Sequence, residues 1–105
     1  MRENALSKVA VALDTADRSE LREWAAIFGP RVGVLKVGLE AFVRWGPGVV
    51  AEVREKASAV FLDLKLHDIP NTVAGAVAGA EEAGADYLTV HAGGGTAMLA
   101  AMRAG

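Results

Sequence analysis

Ala59-Val60-Phe61-Leu62-Asp63-Leu64-Lys65-Leu66-His67-Asp68-Ile69-Pro70-Asn71-Thr72 decides the fold. It begins as a short apolar run, passes through charges at alternate positions and reaches a proline. Beyond the proline come Ala74, Gly75, Ala76, Ala78 and Gly79, and then Gly84. A short, β-branched run bounded by breakers reads as a buried strand. A proline in the first turn and a glycine past the end bracket a helix. The stretch is one strand-then-helix unit, and the small residues permit its helix to approach a sheet or another helix closely.

The same unit recurs on either side. Val9-Ala10-Val11-Ala12-Leu13, Val32-Gly33-Val34-Leu35 and Tyr87-Leu88-Thr89-Val90 are the other apolar runs. Leu21, Trp24, Ala25 and Phe28 fall at i, i+3, i+4 and i+7 and predict a helix after the first run. Asp17 is its N-cap with Glu20 at the capping-box position, and Gly29-Pro30 stops it. In the second unit a short turn around Leu39 to Arg44 precedes a helix that starts near Pro47 and runs through Val49, Val50 and Val53. A fourth helix follows from about Thr96 through Met98, Leu99 and Met102. Four units with continuous apolar strands imply a parallel sheet covered by helices. Trp24 and Trp45 belong to core or interface packing.

Two architectures satisfy that pattern, a doubly wound open sheet and half of a (β/α)8 TIM barrel. A full barrel has eight units over about 250 residues, so on the second reading the chain is half a barrel with both outer strands unpaired. Such edges are templates for association unless something covers them. The expectation is a fragment or an obligate assembly.

Composition narrows the classes of function. Of 105 residues, 52% are apolar, enough for a modest core, and the formal charge is −2 with no basic run to track a phosphate backbone. Nucleic acid is not an expected partner. The absence of cysteine excludes a disulfide framework, a thiolate zinc site and a cysteine nucleophile. Val9 to Leu13 is too short for a signal-peptide core and ends at Asp14. No membrane or export segment is expected, and the default location is cytoplasmic.

Every apolar run ends in an ionisable residue: Asp14, Lys36, Asp63 with Lys65, and His91. The C-terminal ends of parallel strands are where loops converge on one ligand, so four such endings together point to a site. Asp63 and Lys65, two apart, would share one strand face about 6.5 to 7 Å apart by strand rise, with Leu62, Leu64 and Leu66 on the other. Charges set among leucines need partners, and Lys36 and Asp68 are the candidates. Alternating Lys36, Asp63, Lys65 and Asp68 around one pocket would keep both ammonium groups protonated against desolvation. The bland alternative is a structural ion-pair cluster. Gly93-Gly94-Gly95 either offers backbone N–H groups to an anion or forms a flexible turn. His91 either lines the pocket or is a packed, hydrogen-bonded histidine, and His67 reads as an exposed spacer.

Asp63-x-Lys65-x-x-Asp68-Ile69-Pro70-Asn71-Thr72-Val73 resembles the signature of the orotidine 5'-phosphate decarboxylase family. Val11-Ala12-Leu13-Asp14, Lys36-Val37-Gly38 and Val90-His91-Ala92 resemble that family's first, second and fourth strands. The resemblance covers nearly the whole chain and implies that residues 1–105 are the N-terminal (β/α)4 half of such a barrel, the C-terminal half being absent. The activity implied is decarboxylation of orotidine 5'-monophosphate to uridine 5'-monophosphate, a cofactor-free step of pyrimidine biosynthesis. Lys65 would be the proton donor and Asp63 would lie beside the departing carboxylate. Lys36 would bridge Asp63 and the ribose hydroxyls, and Asp14 would accept a ribose hydrogen bond. Asp68, Ile69 and Thr72 would reach the neighbouring subunit's site, which implies a homodimer with shared sites. The phosphate grip lies in the family's second half.

Two other readings compete with this one. Sister magnesium-dependent sugar-phosphate lyases share Asp-x-Lys-x-x-Asp but place an acidic residue where this chain has Lys36. A lysine there repels a dication, so no metal is expected. The other is a non-catalytic half-barrel that keeps the motif by descent.

Overall fold

Each of the four apolar runs becomes a strand in the computed structural model, which describes residues 3–104. They are β1 (Ala10–Ala12), β2 (Val34–Gly38), β3 (Val60–Leu66) and β4 (Tyr87–Val90). Among them run α1 (Glu3–Leu6), α2 (Arg18–Phe28), α3 (Leu39–Trp45), α4 (Pro47–Arg54), α5 (Pro70–Ala83) and α6 (Thr96–Ala104), with a 3-10 turn at Ala92–Gly94. The strands form one parallel sheet in the order β1-β2-β3-β4. Right-handed crossovers between strands that advance without reversal set the helices on one face, whereas a doubly wound sheet needs a reversal in strand order. Four βα units so arranged are half of a (β/α)8 barrel.

Burial follows this geometry. Leu35 and Val37 of β2 and Val60 and Leu62 of β3 are buried under the helices, against Leu21 of α2 and Val50 and Val53 of α4. Burying each such aliphatic side chain contributes roughly 1.5–3 kcal/mol. The opposite face, where a closed barrel has its interior, is open here. Across it the register aligns Ala12, Lys36, Phe61 and Tyr87, with the Phe61 and Tyr87 rings tilted at 6.3 Å. The outer edges of β1 and β4 have no strand partner among the described residues. Trp24 and Trp45 are half-buried and pack against the core.

Several sequence expectations shift. The second strand starts at Val34, two residues later than its apolar run, and extends to Gly38. Gly33 explains the delay. Its N–H donates to the Leu6 carbonyl at the end of α1, a helix the sequence did not announce, and a Cβ on it would lie 1.8 Å from the Ser7 carbonyl oxygen. Val32 and Gly33 are therefore a docking turn, and Lys36 sits inside the strand. Asp17 caps α2 by accepting from the N–H groups of Ser19 and Glu20, but the capping box does not close. Glu20 accepts from the Thr15 hydroxyl, and Thr15 accepts from the Asp17 N–H. The turn around Leu39 is a helix in its own right, α3. In α5 the close approach allowed by small residues is not used at Gly75 or Gly79, where an added Cβ would meet nothing within 4 Å.

Candidate active site

The sheet register decides which strand-end charges meet. Gly38 pairs with Asp63, two steps beyond the Lys36–Phe61 pair, so the carboxylate of Asp63 rises beside a residue with no side chain. A Cβ on Gly38 would stand 3.5 Å from Oδ1 of Asp14. The gap at Gly38 opens a cavity of about 490 Å³ whose lining includes Asp14, Lys36, Asp63, Lys65, His67 and His91. Its two aspartates and two lysines balance in charge.

Asp63 is the centre of the cluster and is 7% exposed. Its Oδ2 accepts from Nζ of Lys65 at 3.0 Å and lies 3.4 Å from Nζ of Lys36. Its Oδ1 accepts from the Thr89 hydroxyl at 2.7 Å. These donors, Thr89 first and Lys65 next, hold its carboxyl below the usual aspartate range against the opposing effect of burial.

Lys65 does not occupy a regular strand position. The β3–β4 ladder pairs Leu62 with Leu88 but Leu66 with Val90, so β3 spends two extra residues in a bulge. Lys65 sits in it with φ 52°, alone among the described non-glycine residues in the left-handed region. Such a conformation costs a non-glycine residue roughly 1–2 kcal/mol and gathers at functional sites. Even alternation from Asp63 to Lys65 is thus corrected: the bulge, not the pleat, aims the lysine. Its amide donates to Thr89 Oγ1 at 2.9 Å.

Asp68 is not drawn in with the other three charges. Its carboxylate accepts from the Ile69 N–H at 2.7 Å, within its own turn. Asp68, Ile69 and Thr72 are exposed at the start of α5, Ile69 to 65%. The expectation of Asp68 as a partner within this chain's own pocket is corrected accordingly.

The two histidines also differ from expectation. The Leu66–Val90 pairing sets the next residue of each strand side by side, and His67 and His91 stack at 5.1 Å with their planes 24° apart on the cavity wall. His67 is more than a spacer, and His91 lines the pocket instead of packing in the interior. Gly94 and Gly95 bond their N–H groups back to His91 and Ala92 within the turn, so these two amides do not face an anion. Among the described residues no three His, Asp or Glu side chains converge as a metal site. Thr89 is the site residue that sequence reasoning missed. The signal was an aliphatic hydroxyl between the apolar Leu88 and Val90 of β4.

A charged cluster on the open face of a parallel sheet, at the C-terminal ends of its strands, defines the class of enzyme sites built on (β/α)8 barrels. Residues 7–105 match the family described as Orotidine 5'-phosphate decarboxylase / HUMPS, and the chain belongs to that family. It is 52% identical over 94 residues to orotidine 5'-phosphate decarboxylase of Thermobifida fusca (strain YX), covering 89% of this chain and 40% of the relative. The enzyme of that name from Moorella thermoacetica (strain ATCC 39073 / JCM 9320) is 47% identical over 104 residues, 99% of this chain and 41% of the relative. The crystal structure of orotidine 5'-monophosphate decarboxylase from Methanocaldococcus jannaschii matches with a TM-score of 0.87 at 26% identity, over 92% of this chain and 48% of that one. The chain spans about two fifths of the length of these curated relatives.

Proposed function

We propose that the protein carrying this chain converts orotidine 5'-monophosphate to uridine 5'-monophosphate in pyrimidine biosynthesis, as a cytoplasmic homodimer and without metal or cofactor. The observation that carries the reading is the sharing of one oxygen of buried Asp63 by Lys65 and Lys36, at 3.0 and 3.4 Å. Family membership supports the substrate. No helix among the described residues is long and apolar enough to cross a membrane.

In this mechanism the bond between C6 of the pyrimidine and its carboxylate breaks, carbon dioxide leaves and the electron pair stays on C6. The Lys65 ammonium stabilises that developing charge and gives C6 its proton; solvent then reprotonates the amine. Asp63 lies beside the departing carboxylate, and its fixed negative charge disfavours the bound substrate more than the transition state. The array therefore works by differential electrostatics. Lys36 spans Asp63 and the ribose hydroxyls, and Asp14 accepts from the ribose. Asp68, Ile69 and Thr72, exposed at the start of α5, serve the partner subunit's site. Phosphate binding belongs to the second half of the barrel, whose remote contacts help close the site.

The test is to reconstitute this chain with the C-terminal half of the Thermobifida fusca relative and follow the ultraviolet absorbance change with orotidine 5'-monophosphate. Turnover that vanishes in Lys65→Ala supports the assignment. A folded complex that leaves the substrate unchanged means the charges are inherited scaffolding.

A further inference from the structure

We infer that Thr89 is the positioning residue of this site, setting through one hydroxyl both the orientation of Asp63 and the backbone conformation of Lys65. The inference rests on the decarboxylase reading for its kinetic consequence but not for its structural one.

A threonine hydroxyl has one proton to donate and lone pairs to accept with. Here the proton goes to Asp63 Oδ1, a carboxylate oxygen that can only accept, at 2.7 Å. The hydroxyl oxygen accepts the Lys65 N–H at 2.9 Å. These bonds act on the two groups whose geometry the chemistry needs. With Oδ1 tied to β4, the carboxylate cannot rotate, and Oδ2 remains the oxygen that faces the two ammonium groups. With the Lys65 amide tied to the same atom, the bulge keeps its left-handed residue. Without that bond the bulge loses the hydrogen bond that offsets the conformation's cost. Thr89 thus couples the charge that stresses the substrate to the lysine that protonates the product, although its side chain reaches neither substrate atom in the mechanism above.

Shape and hydroxyl can be separated. Thr89→Val keeps the β-branched volume and removes both hydrogen bonds, while Thr89→Ser keeps the hydroxyl and drops a methyl. Both variants are made in the reconstituted barrel. The Asp63 carboxyl is titrated by carbon-detected NMR, with Lys36 and Lys65 as the charged groups facing it and Asp14, His67 and His91 as the other titratable residues of the cavity. Thr89→Val should raise the Asp63 midpoint, and Thr89→Ser should return it toward wild type. In turnover, Thr89→Val should lower kcat by about tenfold to a hundredfold with KM little changed, since misplacement within an ordered site acts on the chemical step. Thr89→Ser should recover most of that loss.

An unshifted Asp63 midpoint together with wild-type kcat in Thr89→Val overturns the inference. So does a Thr89→Ser variant as impaired as Thr89→Val in both readouts, because then packing and not the hydroxyl matters. If the wild-type barrel turns over no substrate, the proposed function fails and the Asp63 midpoint alone decides the role of Thr89. If Thr89→Val does not fold, the serine variant and Thr89→Asn, which also offers a donor and an acceptor, decide it by retaining or losing the wild-type midpoint.

Discussion

Asp63 and Lys65 are joined by a 3.0 Å hydrogen bond yet live in different solvents: the aspartate side chain is 9% exposed and the lysine side chain 66%. The buried partner is held from three sides and keeps its charge. The exposed partner is anchored at its backbone by Thr89 and at its tip by Asp63 alone, with the rest of its side chain open to water, which suits the proposed role of meeting a substrate and then recovering a proton from solvent.

Replacing Lys65 by Ala in the reconstituted barrel should therefore abolish decarboxylation, a loss of about a thousandfold or more if general-acid and electrostatic contributions combine. Lys36→Ala should raise KM as well as lower kcat, because that lysine is assigned to ribose hydroxyls in addition to Asp63. Steady-state kinetics on the two variants checks the division. Equal activity in Lys65→Ala and wild type would remove the lysine from the chemistry.

The same lysine is held at φ 52°, a conformation glycine adopts without the steric cost an L side chain meets. Lys65→Gly should accordingly be more stable than Lys65→Ala by about 1 kcal/mol, with both inactive. Urea unfolding midpoints give the comparison. If alanine is the more stable of the two, the bulge relaxes in the variants and stores no strain in the native chain.

Much of this arrangement was legible in the sequence because it follows from local period and strand-end position. Asp14, Lys36, Asp63 and Lys65 were each marked by an apolar run breaking into charge. What was not legible depends on register. His67 and His91 meet because Leu66 pairs with Val90, and Thr89 falls beside Asp63 because Leu62 pairs with Leu88, while the bulge that follows brings the Lys65 amide to the same hydroxyl. No periodicity within one segment encodes how two segments align. The early start assigned to the second strand failed for a related reason, since Gly33 is held by a contact with α1 that its neighbours in sequence do not reveal.

Acid should destabilise the fold through three carboxylates. Arg22 beside Glu52, Thr89 and Lys65 beside Asp63, and Arg54 beside Asp86 each hold the acid below its ordinary range. A depressed folded value means that the unfolded chain takes up protons first as pH falls. The stabilisation is therefore complete above the unfolded values of about 4 and is lost as pH drops through the lower folded values. Asp86 also accepts from the Val60 N–H at 2.8 Å, tying the start of β3 to the start of β4. Asp86→Asn should be less stable than the parent at neutral pH, with the gap shrinking as pH falls below about 4. Unfolding midpoints across that range test it, and a gap that stays constant with pH would exclude the charge as its cause.

Glycine substitutions should change sign with position. Gly29 ends α2 with ordinary right-handed angles, so its backbone does not demand glycine; the space around it does. A Cβ there would lie 2.2 Å from the carbonyl oxygen of Lys56 and 2.6 Å from that of Ala25. Both are backbone atoms, which cannot swing aside as a side-chain tip can, so Gly29→Ala should part α2 from the end of α4 and cost about 1–3 kcal/mol. Gly79 lies within α5 with nothing near its missing Cβ. Alanine there restricts the unfolded chain and suits the helix, so Gly79→Ala should stabilise by roughly 0.5–1 kcal/mol. Denaturant midpoints of the two variants, measured on the same chain, should move in opposite directions. A loss at Gly79 would show that another surface packs against that face of α5 in solution, and an unchanged midpoint at Gly29 would show that α2 can shift without penalty.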